Sequence, residues 1–113
     1  MKKMNSTLAV KSLAALAQES RLTIFRRLVQ AGPEGLTAGQ LAETLGISPS
    51  SLTFHMKELT HSGLALSRQA GRYVIYSAQI DSMNALLAYL TDNCCGGNPC
   101  TPVSTIKFAA KAK

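Results

Sequence analysis

All three cysteines of the chain stand in one eight-residue stretch, Asn93-Cys94-Cys95-Gly96-Gly97-Asn98-Pro99-Cys100. Three thiols are an odd number for disulfides and one short of the four ligands of a closed zinc site. Soft thiolates select soft, thiophilic centres. Gly96-Gly97 allows backbone conformations that other residues avoid, and Asn98-Pro99 favours a turn that carries Cys100 back towards Cys94 and Cys95. One chain can therefore gather the sulfurs, and a site shared between two chains stays open. A preceding helix C-terminus and Asp92 both oppose thiolate formation, so metal capture should expel protons and weaken at low pH. Competing chemistries are a Cys95–Cys100 disulfide acting as a redox switch, zinc or cadmium completed by water or a carboxylate, and inert thiols. Catalysis by cysteine lacks a base, because the two histidines, His55 and His61, lie far upstream.

The elements that must position such a group belong to a short chain. With 113 residues there is room for one domain with a modest core. Apolar residues make up 46% and charged residues only 16%, which points to a globular protein with apolar surface left for a partner, most simply a second copy. A net charge of +6 attracts a polyanion such as nucleic acid. Met1-Lys2-Lys3-Met4 and the apolar residues after it imitate a secretory leader. Lys11 interrupts that run, however, and Ala9, Leu13, Leu16 and Ala17 have helical spacing, so the segment reads as an amphipathic first helix. No stretch reaches the roughly 18 apolar residues of a membrane span. The expected location is the cytoplasm, where thiols stay reduced.

A second helix is expected over 21–30, capped by Ser20, with Leu22, Phe25, Leu28 and Val29 inward and Gly32-Pro33 ending it. Thr37 and Gln40 have capping-box spacing, Leu36 and Leu41 can form a hydrophobic staple, and Gly46 closes the third helix. Ser48 caps again, Pro49 suits the first helical position and Ile47 with Leu52 repeats the staple, giving a fourth helix over 49–61. Two short helices joined by a tight turn form a helix-turn-helix. Next come a strand over 64–68, a loop over 69–71 and a strand over 72–77, a β-hairpin whose second strand is apolar on both faces. A last helix is expected over 81–93, with Met83, Leu86, Leu87 and Leu90 on one stripe that Cys94 continues. The whole reads as a mainly α winged helix-turn-helix: 1–93 for DNA binding and dimerisation, 94–100 as the cysteine segment, and 101–113 as a loose tail.

Leu52, Met56 and Leu59 recur at i, i+4 and i+7 and should face the core, which turns Ser50, Phe54, Lys57 and His61 outward with Ser51 and Thr53 beside them. Hydroxyls near a helix N-terminus can meet phosphates or base edges, and Lys57 can neutralise a phosphate. An exposed Phe54 needs an apolar contact such as a thymine methyl or a partner surface. His55 borders the core stripe, as a packed histidine bonded to backbone or as a phosphate contact. Arg68 and Arg72, at the hairpin tip, suit a narrow minor groove. Two-fold dimers place such helices about one DNA turn apart, so palindromic double-stranded operator DNA is the expected partner.

At this point the chain resembles the ArsR-type metalloregulatory repressors. The likeness rests on Leu16-Ala17-Gln18-Glu19-Ser20-Arg21-Leu22 with Ile24 and Leu28, on Ile47-Ser48 through Ser50-Ser51-Leu52-Thr53-Phe54-His55-Met56-Lys57-Glu58-Leu59, and on Gly63-Leu64 and Gly71-Arg72 through Tyr76, spanning 10–93. It implies a winged-helix homodimer, paired through the first and last helices, that represses transcription until it binds a metal or metalloid. Many relatives carry a Cys-x-Val-Cys pair in the third helix, and zinc sensors use aspartate and histidines on the last; here Ala38 to Glu43 has no thiol, and Asp81 stands without histidine in 82–93. The resemblance therefore implies the arsenic- or antimony-sensing variant, with Cys94, Cys95 and Cys100 as ligands. As(III) and Sb(III) carry a lone pair and are satisfied by three thiolates in a pyramid. Neither an organic cofactor nor an enzymatic activity is expected. A thiol redox sensor or another thiophilic-metal sensor on the same fold is the alternative.

Overall fold

Side-chain caps and buried faces set the helices of the computed structural model, which describes residues 4–92. Asn5 opens α1 (Ser6–Leu16) by accepting the Leu8 N–H at 2.9 Å. This helix buries the small residues Ala9, Ser12 and Ala15 against its neighbours, while Leu16 is half-buried and Leu13 and Ala17 are exposed. The next helix, α2 (Glu19–Ala31), starts two residues before the expected position, because the Gln18 side chain accepts the Arg21 N–H at 3.0 Å and caps it in place of Ser20. Its buried residues are Ile24, Phe25 and Leu28. Leu22 is exposed, against expectation, and Ile24 takes the inward place assigned to it.

A 3-10 turn (Gly32–Glu34) leads into β1 (Leu36–Thr37), a strand of two residues that periodicity did not announce. Thr37 then caps α3 (Ala38–Leu45) through a complete capping box, with its Oγ1 accepting from Gln40 N–H at 3.1 Å and Gln40 Oε1 accepting from Thr37 N–H at 2.8 Å. Gly46, in the left-handed conformation at φ 66°, closes α3 while Ile47 N–H reaches back to the Ala42 carbonyl at 3.1 Å. Such a turn lets α4 (Pro49–His61) begin at once, with Ser48 as its cap and Pro49 in its first turn.

The hairpin follows as β2 (Ala65–Ala70) and β3 (Tyr73–Ala78), paired in register from Ala65 with Ala78 to Ala70 with Tyr73. Its connection is the two-residue turn Gly71-Arg72, tighter than the expected loop over 69–71. Because β1 pairs with the other edge of β3, the sheet order is β1-β3-β2 and β3 is central. α2 and α3 pack on this strand, and its residues 74–77 are half-buried. α5 (Ile80–Leu90) buries Ile80, Met83 and Leu86 and stops at Leu90, short of the expected end at 93, with Thr91 Oγ1 donating to the Leu87 carbonyl at 2.8 Å. Ile24, Leu28, Leu41, Leu52, Met56, Leu59 and Leu64 form the solvent-free centre of the core. Among the described residues no helix is long and apolar enough to cross a membrane. The segments 94–100 and 101–113, with Cys94, Cys95 and Cys100, lie outside the described residues.

The seam between β1 and β3 depends on Gly35. Its φ is +75°, and an added Cβ would run into the Tyr76 carbonyl oxygen. Gly35→Ala should therefore destabilise by about 2–4 kcal/mol, combining left-handed strain with displaced backbone. Gly32→Ala, at φ +79° but with open space around its Cβ position, should cost only about 1–2 kcal/mol. Equal losses in denaturant unfolding would show that contact with β3 is not what demands glycine.

Candidate nucleic-acid interface

The exposed side of α4 is fixed by the side it buries. Leu52, Met56 and Leu59 retain at most 1% of their accessible surface, and this clamps the helix about its own axis. Ser50, Phe54, Lys57 and His61 consequently face solvent, with Ser51 and Thr53 exposed on the flanks. Phe54 keeps 57% of its surface in water, and its ring meets His55 edge-on with centroids 5.6 Å apart.

The hydroxyls at the start of α4 are already engaged in different ways. Ser48 Oγ accepts the Ser51 N–H at 3.1 Å and donates to Ser51 Oγ at 3.1 Å, which leaves the Ser51 proton available to a ligand. Ser50 Oγ lies 3.3 Å from Ser48 Oγ. Thr53 Oγ1 donates back to the Pro49 carbonyl at 2.9 Å.

The two wing arginines separate. Arg72 occupies the exposed hairpin turn, as expected. Arg68 does not sit at the tip: it lies opposite Ile75 within β2, and its Nη2 donates to the Glu34 carbonyl at 3.2 Å. The shorter turn is the cause, since Gln69 and Ala70 extend the strand beyond Arg68.

His55 is half-buried, and its partner is the side chain of Arg21 on α2. Arg21 Nη1 lies 3.4 Å from His55 Nδ1, and Arg21 Nε donates to the Ala15 carbonyl at 2.7 Å. Desolvation first, and the Arg21 charge second, hold the His55 pKa below its usual 6.5. Only the presence of Arg21 in the Gln18-Glu19-Ser20-Arg21 run hinted at this contact, across 34 positions of sequence. Among the described residues no group of three or more His, Cys, Asp or Glu is arranged to hold a metal ion.

A family model described as a helix-turn-helix domain matches residues 16–68. The HTH-type transcriptional regulator YgaV of Escherichia coli (strain K12) is 30% identical over 87 residues, covering 77% of this chain and 86% of that protein. The transcriptional activator HlyU of Vibrio cholerae is 32% identical over 94 residues, covering 83% of this chain and 84% of that protein. Its solved structure superposes with a TM-score of 0.65 at 31% identity, over 83% of this chain and 99% of the other, and it is also known in a form described as reduced. An ArsR-like transcriptional regulator from Rhodococcus sp. RHA1 gives a TM-score of 0.66 at 28% identity, over 74% of this chain and 76% of that one.

The environment of His55 has a stability signature. With the folded pKa below the unfolded value of 6.5, the unfolded chain takes up the proton first on acidification. The contribution of His55 is thus fully present above about pH 7, falls as pH drops through 6.5 towards the lowered folded value, and then levels off. Unfolding measured from pH 8 to pH 5 for the natural chain and for His55→Asn should differ by a component with that slope. A pH-independent difference would count against a neutral, partly buried His55.

Proposed function

The chain belongs to the ArsR family of winged helix-turn-helix transcriptional regulators, and we propose that it is a repressor that grips operator DNA as a homodimer and lets go on capturing trivalent arsenic or antimony. Its relatives regulate transcription and are not enzymes. The observation that carries the proposal is the place of α5 in the chain: it ends at Leu90 with that side chain 53% exposed, and thiols follow at 94, 95 and 100.

On the DNA side, the exposed face of α4 enters the major groove. Ser50, Ser51, Thr53 and His55 offer hydrogen bonds, Lys57 neutralises a phosphate, and the bare ring of Phe54 meets an apolar edge such as a thymine methyl. Arg72 reaches the adjacent minor groove from the wing tip, while Arg68 supports the base of the wing and approaches the backbone. Dimerisation follows from apolar surface without cover: Val10 is 62% and Leu13 42% exposed on α1, and Tyr89 and Leu90 are exposed on α5. A second copy covers them by two-fold symmetry, which sets two α4 helices about one DNA turn apart on a palindrome.

On the sensing side, the donor set fits the effector. Three thiolates complete the pyramid of As(III) or Sb(III), whereas zinc would need a fourth ligand that the segment lacks. Capture next to a dimer helix changes how the two reading heads are spaced. A coupling of about 1–3 kcal/mol corresponds to roughly 5- to 150-fold weaker operator binding. A second reading, release by thiol oxidation, draws support from the relative HlyU having been solved in a form described as reduced.

Operator fluorescence anisotropy tests both readings. With a duplex selected from a random pool, arsenite or antimonite should weaken binding at least fivefold at one ion per protomer, and Cys94→Ser, Cys95→Ser or Cys100→Ser should abolish the response. Release by peroxide alone would favour the oxidation reading, and release of the triple variant by arsenite would sink the proposed site. Leu13→Glu should produce monomers in analytical ultracentrifugation and lower operator affinity more than tenfold, since each half-site is then bound alone. A variant that stays dimeric would place the interface elsewhere.

A further inference from the structure

Arg21 stands at the start of α2 and makes two directed contacts that belong to two other helices. Its Nε donates at 2.7 Å to the Ala15 carbonyl, one of the α1 C-terminal acceptors that lack an intrahelical donor. Its Nη1 lies 3.4 Å from His55 Nδ1 on α4. The backbone at Arg21 is itself held by the Gln18 cap at 3.0 Å. A guanidinium has donors only and keeps its charge at every relevant pH. Nδ1 must therefore turn its lone pair to Arg21, and the ring proton must sit on Nε2. His55 and Ser51 are one helical turn apart on the same flank of α4, and the Ser51 hydroxyl also retains a free proton.

We propose that Arg21 is a positioning residue for DNA binding: it locks His55 as the Nε2–H tautomer, so that His55 and Ser51 form a row of two neutral donors for one phosphate of the duplex. The proposal rests on α4 being the DNA-reading helix. Its distinctive element is the neutrality of the contact. A cation at position 55 would displace counterions on binding, whereas a neutral imidazole adds hydrogen-bond affinity and leaves the salt dependence alone. The low proton affinity of His55, from desolvation and from the Arg21 charge, is consistent with this. The same guanidinium also links the end of α1, the helix that carries Val10 and Leu13, to the flank of α4.

The test uses the full chain. In proton–nitrogen spectra of the natural protein, His55 should carry its proton on Nε2 near neutral pH. Arg21→Met should abolish that preference and raise the titration midpoint. Operator affinity should fall about tenfold in Arg21→Met and in His55→Ala, with the slope of log affinity against log salt unchanged, and the double variant should bind no more weakly than either single one. Lys57→Ala should instead reduce that slope by about one. A proton on Nδ1 in the natural protein overturns the proposal without recourse to any variant. So do additive losses in the double variant, or a reduced salt slope in Arg21→Met, which would make Arg21 a direct phosphate ligand. If Lys57→Ala changes neither affinity nor slope, α4 is not the reading helix, and the proposal falls together with its premise.

Discussion

The orientation of α4 depends on three side chains that cannot be in water. Leu52, Met56 and Leu59 lie among Ile24, Leu28, Leu41 and Leu64, all essentially free of solvent. Burying each is worth about 1.5–3 kcal/mol relative to exposure. A 13-residue helix has little stability alone, so this packing both makes α4 and fixes its rotation. Turning it by one residue, about 100°, would drive Lys57 or a serine towards the core. The bare face and the buried stripe are therefore a single fact seen from two sides.

The wing has its own constraint. As the central strand, β3 spends its hydrogen bonds on β1 and β2, and Gly35 lets the preceding loop close on its backbone. Arg68 is drawn to the Glu34 carbonyl and braces the same corner. The ribbon is anchored at its base and bare at its tip, which leaves Arg72 as the wing arginine free to extend furthest.

Local chemistry made α3 and α4 legible in the sequence. A capping box, a serine cap, a proline in the first turn and a closing glycine are bonds between residues a few positions apart, so the residues that form them sit together in the text. Where the stabilising partner is distant, the reading failed. Helical spacing alone did not rank Ile24 above Leu22 as the inward residue of α2. The start of α2 depended on a glutamine used as a cap, a rarer device than the serine two places on. The stop signals after Leu90 begin only at Asn93 and Gly96-Gly97, while the helix already ends at Leu90, where Thr91 folds back onto it. A strand of two residues has no periodicity to detect, and the Arg21–His55 contact joins residues that no local rule associates. The family and its winged architecture were readable from the Ser-Ser-Leu-Thr-Phe-His-Met-Lys run with its hairpin. The thiols speak through composition and spacing alone.

One bond within α4 changes how its chemistry towards a duplex should be understood. Thr53 gives its only hydroxyl proton to the Pro49 carbonyl, and it therefore presents lone pairs and a methyl group outward. Phosphate oxygens repel such lone pairs, while the exocyclic amino groups of adenine and cytosine seek them. With α4 in the groove as proposed, Thr53 would suit the floor and not the walls: its role as an acceptor is set by a hydrogen bond pointing the other way.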